Sequence, residues 1–175
     1  MRGVWADTQK SPTVFRYIDW LLTVPLQMVE FYLILAACTS VAGSLFKKLL
    51  AGSLVMLIAG FIGELNGTAS YDATFAASLA ETGTGVGVYS GVMVPFVIGM
   101  LAWFYMIYEL YMGEGKAAVS TASPAVNSAY NAMMLIIVFG WAIYPAGYAA
   151  GFLMGGGAYA DNLNIIYNLA DFVNK

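Results

Sequence analysis

The chain has no histidine and only one cysteine among its 175 residues. Without histidine, and with Cys38 alone in an apolar run, it offers no recognisable set of metal ligands, and a single thiol excludes an intramolecular disulfide. Charge is scarce as well. Asp, Glu, Lys and Arg make up 10% of the residues, the formal net charge is −3, and no basic cluster exceeds the pair Lys47-Lys48. Nucleic acid is therefore not an expected partner. Residues Met1, Arg2, Gly3, Val4 and Trp5 lack the apolar core of a signal peptide and are expected not to be a targeting sequence. Apolar residues, by contrast, make up 61% of the chain. With a positive mean hydropathy, that share sets aside an ordinary soluble domain and predicts an all-α protein of the bilayer.

Five helices are expected in one transmembrane domain covering residues 1–175. Ser11-Pro12-Thr13 suits the loop and cap before a first helix, which runs apolar from Val14 to about Phe46. Pro25 in its middle predicts a bend. Lys47 and Lys48 close that span, and a short second crossing follows over Leu49 to Gly63, ending near Glu64. Residues 65–89, rich in Gly, Ala, Ser and Thr, read as a long external loop with a short helix around Thr74 to Glu81. Val92 to Met112 is the third span, with Trp103, Tyr105, Tyr108 and Tyr111 as an interfacial aromatic belt. After a loop over Gly113 to Pro124, a fourth span occupies Ala125 to Met154, and a last helix starts near Leu163. Lys47, Lys48 and Lys116 then fall in loops on one side, which the positive-inside rule makes cytoplasmic.

Within the first span lies a polar stripe. Arg16, Asp19, Thr23, Gln27 and Glu30 follow one another at spacings of three, four, four and three residues, so they point within roughly 80° of one another on a helix. Asp19 and Glu30 lie about 16 Å apart along the axis, about half the hydrocarbon thickness of a bilayer. Two carboxylates at two depths suggest a proton path. Near the other end, Tyr167, Asp171 and Lys175 form a second stripe at one turn per step, and Trp141, Tyr144 and Pro145 share a face. Spacing alone leaves plainer readings open: Asp19 and Glu30 as structural polar groups between helices, Gln27 as a cross-helix hydrogen bond, Trp141 and Tyr144 as packing, Lys175 as a snorkelling interfacial lysine. Glu64 and Glu109 read as ordinary boundary residues.

Longer motifs narrow those alternatives. RYIDWLLTVPLQMVEFYLIL (Arg16 to Leu35), GWAIYPAGY (Gly140 to Tyr148) and YNLADFVNK (Tyr167 to Lys175), with YMIYELYMGEGK and STASPAVNSAYN between them, closely resemble the proteorhodopsins. These are microbial rhodopsins, bacterial seven-helix retinal proteins that pump protons in light. The resemblance implies that the chain supplies helices three to seven of a seven-transmembrane-helix bundle, with the last helix cut at its lysine. On that basis the first two helices are expected to be missing and Met1 to be an internal residue. One of the missing helices would bring a histidine to the primary acceptor, so the absence of histidine here says nothing about the parent.

The same resemblance implies roles. Lys175 matches the lysine that carries all-trans retinal as a Schiff base, Asp19 the primary counterion and proton acceptor, Asp171 the second counterion, and Glu30 the proton donor. Arg16 matches the arginine beside the counterions, and Thr23 the middle of the Asp, Thr, Glu triplet. Trp20, Trp141, Tyr144, Pro145 and Tyr167 match the retinal pocket. Gln27 falls at the colour-tuning position, where Gln goes with blue absorption and Leu with green. The implied activity is light-driven outward proton pumping, a transport function rather than an enzyme's, in a bacterial inner membrane. Assembly as a homo-oligomeric ring is implied too. The rival is a photosensory rhodopsin signalling through a partner protein, against which a glutamate at position 30 argues, since a sensor has no need of fast reprotonation.

Overall fold

The computed structural model describes residues 13–69, 86–150 and 160–174. In lipid every backbone polar group must be satisfied within the segment, which favours helices wherever the apolar runs are long enough. All described elements are helical. The first helix, α1, covers Thr13–Cys38 and contains Pro25. At its end the Thr39 amide makes a last i→i−4 bond to the Leu35 carbonyl at 2.8 Å, and the Thr39 hydroxyl donates to the same carbonyl at 2.7 Å. Helices α2 (Gly43–Ala69) and α3 (Val86–Tyr111) follow, then the short α4 (Glu114–Val119). The next helix, α5 (Pro124–Leu135), starts on a Ser123 cap whose hydroxyl accepts the Val126 amide, with proline at the first turn. A π-helical segment, Ile136–Gly140, joins it to α6 (Trp141–Tyr148). The last described helix, α7, is Ala160–Asn174.

Among the described residues four segments are long and apolar enough to cross a membrane: Thr13–Cys38, Gly43–Gly67, Gly91–Val119 and Pro124–Tyr148. Described over 15 residues, α7 is shorter than the ~20 a full crossing needs. The apolar surface faces outwards as well as inwards. Leu22, Leu101 and Phe139 are exposed together with many other large apolar side chains, as suits helices bounded by lipid.

Several expected boundaries shift. The first span stops at Cys38 rather than near Phe46, and Lys47 and Lys48 lie inside α2 instead of a loop. Glu64 is also interior to α2, which continues for a further turn. Residues 65–69 and 86–89 of the expected loop belong to α2 and α3; residues 70–85, with the short helix expected there, lie outside the described residues. Lys116 sits in α4 rather than in an irregular loop. The part of the fourth span beyond residue 150 is likewise outside the described residues.

The closest pairing is α2 along α3, with α1 beside α2 and α6 beside α7. Gly52 makes the first of these possible, since a Cβ there would stand 2.6 Å from Met106 Cγ. One core cluster runs through Phe31, Leu49, Met106, Tyr130, Ile137 and Trp141, and a second gathers Tyr17, Trp20, Leu57 and Tyr167. At one end of the bundle Lys48 Nζ lies 2.8 Å from both Glu109 Oε1 and Glu114 Oε1, and Ser44 donates to Glu114 at 2.6 Å. These bonds tie α2 to α3 and α4. Cys38, at the end of α1, is exposed.

Candidate functional site

Where α1, α2, α3, α6 and α7 converge they leave a cavity of about 110 Å³. Its wall is aromatic and apolar, and the expected pocket residues Trp20, Gln27, Trp141, Tyr144, Pro145 and Tyr167 all contribute to it. The rings interlock edge to face: Trp20 lies 4.8 Å from Tyr144 and 5.6 Å from Tyr167 between centroids.

Asp171 sits at the edge of this wall. Its Oδ1 accepts the Trp20 indole N–H at 2.9 Å and the Tyr144 hydroxyl at 2.7 Å. Two donors from two helices therefore orient one carboxylate carried by a third. Lys175, one helical turn further in sequence, lies outside the described residues. Its neighbour Asn174 is buried and lines the cavity.

Along the α1 stripe, burial falls from one end to the other. Arg16 is buried, Asp19, Thr23 and Gln27 are partly buried, and Glu30 is exposed. Only Gln27 among the five lines the cavity, and its Nε2 donates to the Asn174 carbonyl at 2.7 Å. Thr23 donates its hydroxyl to the Asp19 main-chain carbonyl at 3.0 Å. Arg16 stacks its guanidinium over the Tyr167 ring at 4.6 Å and lies 3.5 Å from Glu64 Oε2.

Glu64 was not singled out by sequence. It is 2% exposed, accepts the Tyr17 hydroxyl at 3.4 Å and lines the cavity. Its position at the end of an apolar run gave no sign that Arg16 and Tyr17 would cover it. Trp103 departs from expectation in the other direction. It is buried in the cavity wall, donating to the Ile137 carbonyl at 3.0 Å, whereas Tyr105, Tyr108 and Tyr111 remain exposed as an interfacial belt would be. Among the described residues no cluster of His, Cys, Asp and Glu could hold a metal ion.

A family profile described as "Bacteriorhodopsin-like protein" matches residues 2–175. The chain belongs to the bacteriorhodopsin-like family. Within that family it is 74% identical over 176 residues to the blue-light absorbing proteorhodopsin of Gamma-proteobacterium Hot 75m4, covering 100% of this chain and 61% of that relative. It is 63% identical over 175 residues to the green-light absorbing proteorhodopsin of Gamma-proteobacterium EBAC31A08, with the same coverage. The crystal structure of blue light-absorbing proteorhodopsin from Med12 superposes with a TM-score of 0.71 at 47% identity, covering 100% of this chain and 67% of that one. The chain thus spans about three fifths of the curated rhodopsins it matches. It is a multi-pass membrane protein of rhodopsin fold, with four apolar spans among the described residues.

Proposed function

We propose that this chain is the retinal-binding part of a light-driven outward proton pump, corresponding to helices three to seven of the seven-helix rhodopsin bundle and working in a bacterial inner membrane. The observation that carries the reading is the Asp171 carboxylate, held by Trp20 and Tyr144 at the edge of an aromatic cavity, one turn before Lys175. An elongated apolar chromophore with a cationic end fits this donor set: indole and phenol walls for the body, fixed negative charge for the end. The fold likeness and the identity to two proteorhodopsins add support.

In this reading Lys175 is the covalent attachment point. When bound, retinal supplies light absorption and a cation that moves on isomerisation. The protein's own residues do the rest. Asp171, clamped by two donors, holds its charge in place, while Asp19 on the facing helix takes up the departing proton. Arg16 offsets the carboxylates, and its Glu64 partner and the Tyr167 ring hold it at that side of the cavity. Glu30, about 16 Å further along α1 and exposed, returns a proton from the opposite side. Transport has a direction because acceptance and return occur at different depths. Thr23, bonded to the Asp19 carbonyl, braces the helix between them. A ring of like copies is the proposed assembly.

The test is a chimera in which this chain replaces the matching segment of the blue-light absorbing relative. Expressed in intact cells and loaded with retinal, it should acidify the medium in light, and a protonophore should abolish the change. Acidification that survives the protonophore, or none at all, refutes the pump. Loss of the visible band in Lys175→Ala tests the attachment point.

A further inference from the structure

Pro95 interrupts α3 at the edge of the cavity. Having no N–H, it cannot bond the Gly91 carbonyl one turn back, and its ring opens the turn around it. The neighbouring helices fill that turn. Asn66 of α2 donates its Nδ2 to the Gly91 carbonyl at 2.9 Å, and the Tyr148 hydroxyl of α6 donates to the next carbonyl, that of Val92, also at 2.9 Å. The second bond is buried, with Tyr148 and Val92 each 4% exposed. The Tyr148 ring stacks on Phe96 with centroids 5.0 Å apart. Gly63 of α2 gives the hydroxyl its space, since a Cβ there would overlap it and stand 3.3 Å from Pro95 Cβ.

These contacts lie at one end of the cavity. Glu64, Pro95 and Tyr148 are the outermost lining residues there on α2, α3 and α6. Two unfilled carbonyls at that junction would be points of entry for water beside the cavity, because a buried carbonyl without a donor recruits one. Filled from both sides, the opened turn is closed to it. We propose that Asn66 and Tyr148 are positioning residues that seal the Glu64 end of the cavity: they occupy the carbonyls that Pro95 opens on α3, so that small water-borne molecules do not pass between α2, α3 and α6. The consequence for a retinal Schiff base rests on the function proposed above; the seal itself does not.

Hydroxylamine, a small water-soluble nucleophile, cleaves a retinal Schiff base once it reaches it. In the retinal-loaded chimera, bleaching by hydroxylamine in the dark should quicken about threefold in Asn66→Ala and about tenfold in Tyr148→Phe, which strands a buried carbonyl. Pro95→Ala restores an N–H for the Gly91 carbonyl, so in that background the effect of Asn66→Ala should fall to less than half; a general packing role for Asn66 would not depend on residue 95. Unchanged bleaching in either single variant, or an Asn66→Ala effect equal in both backgrounds, overturns the proposal. A second readout needs no retinal. With carbonyl 13C in glycine, Asn66→Ala should raise the frequency of one amide-I component, and the same substitution on Pro95→Ala should not; with carbonyl 13C in valine, Tyr148→Phe should do the same for Val92. Bands that stay in place overturn the proposal even where bleaching quickens. Tyr148→Phe keeps the test open if Pro95→Ala does not fold. Absence of a visible band in the unsubstituted chimera counts against the retinal reading instead; the carbonyl bands and the hydrogen exchange of the α3 turn around Pro95, which should quicken in both single variants, then decide the seal, and unchanged exchange overturns it.

Discussion

Replacing Glu64 with alanine would leave the Arg16 guanidinium, 3% exposed, without the carboxylate that faces it at 3.5 Å. Breaking a buried pair by removing one partner costs about 3–5 kcal/mol, because the remaining charge stays desolvated. The separation is long for an ion pair, which argues for the lower end of that range. Tyr17 also loses its acceptor, worth about 1 kcal/mol. Arg16 keeps its stacking on Tyr167 and Trp20 in both forms, so that contact cancels in the difference. The net expectation is a loss of about 4 kcal/mol, several hundredfold in the folding equilibrium. Titrating the detergent-solubilised chimera with sodium dodecyl sulfate, and following helicity and tryptophan fluorescence, measures it. Glu64→Gln retains an acceptor for Arg16 and Tyr17 and should lose less. In the double variant Arg16→Gln, Glu64→Gln the losses should fall short of additive, since no charge remains to be stranded. A loss under about 1 kcal/mol for Glu64→Ala, far below the range for a broken buried pair, would refute the reasoning, as would additive losses in the double variant.

Other perturbations follow from the packing. Gly52→Val should push α2 away from α3 and cost about 1–3 kcal/mol in the same titration; Met106→Ala, which clears the space the new methyls need, should recover part of it. Lys48→Met leaves the buried Glu109 without its cation and should lower the thermal unfolding midpoint, whereas Lys48→Arg should hold it nearer the parent value. Asp19→Asn should abolish light-driven acidification while leaving the unfolding midpoint within a few degrees, measured on the same preparation.

What could be read from the chain differs from element to element for physical reasons. The apolar runs marked the spans because lipid demands them, but their ends depend on local bonds that hydropathy does not register. Helix α1 stops at Cys38, where the Thr39 hydroxyl joins its amide on the Leu35 carbonyl, and Lys48 lies within α2, where Glu109 and Glu114 come from other helices to meet it. Helical periodicity put Arg16, Asp19, Thr23, Gln27 and Glu30 on one face. It could not say how far along the axis neighbouring helices would cover that face, and the stripe runs from buried Arg16 to exposed Glu30. Glu64 and Trp103 were illegible for a related reason: each is buried by residues distant in sequence, Glu64 by Arg16 and Tyr17, Trp103 by the π-helical turn. The long motifs carried the family, and the structure adds the links between them. Trp20 and Tyr144 meeting on Asp171, and Gln27 meeting Asn174, join positions more than a hundred residues apart or on different helices.

The exposed thiol at the end of α1 has a practical corollary. Because Cys38 is the only cysteine in the chain, a membrane-impermeant maleimide can react at one address in it, at the α1–α2 junction. In a cysteine-free version of the remaining rhodopsin segment, labelling from one face of sealed, oriented vesicles and protection from the other would give the sidedness of the whole bundle in a single experiment. A nitroxide on the same atom would report how deep that junction sits and whether it moves in light.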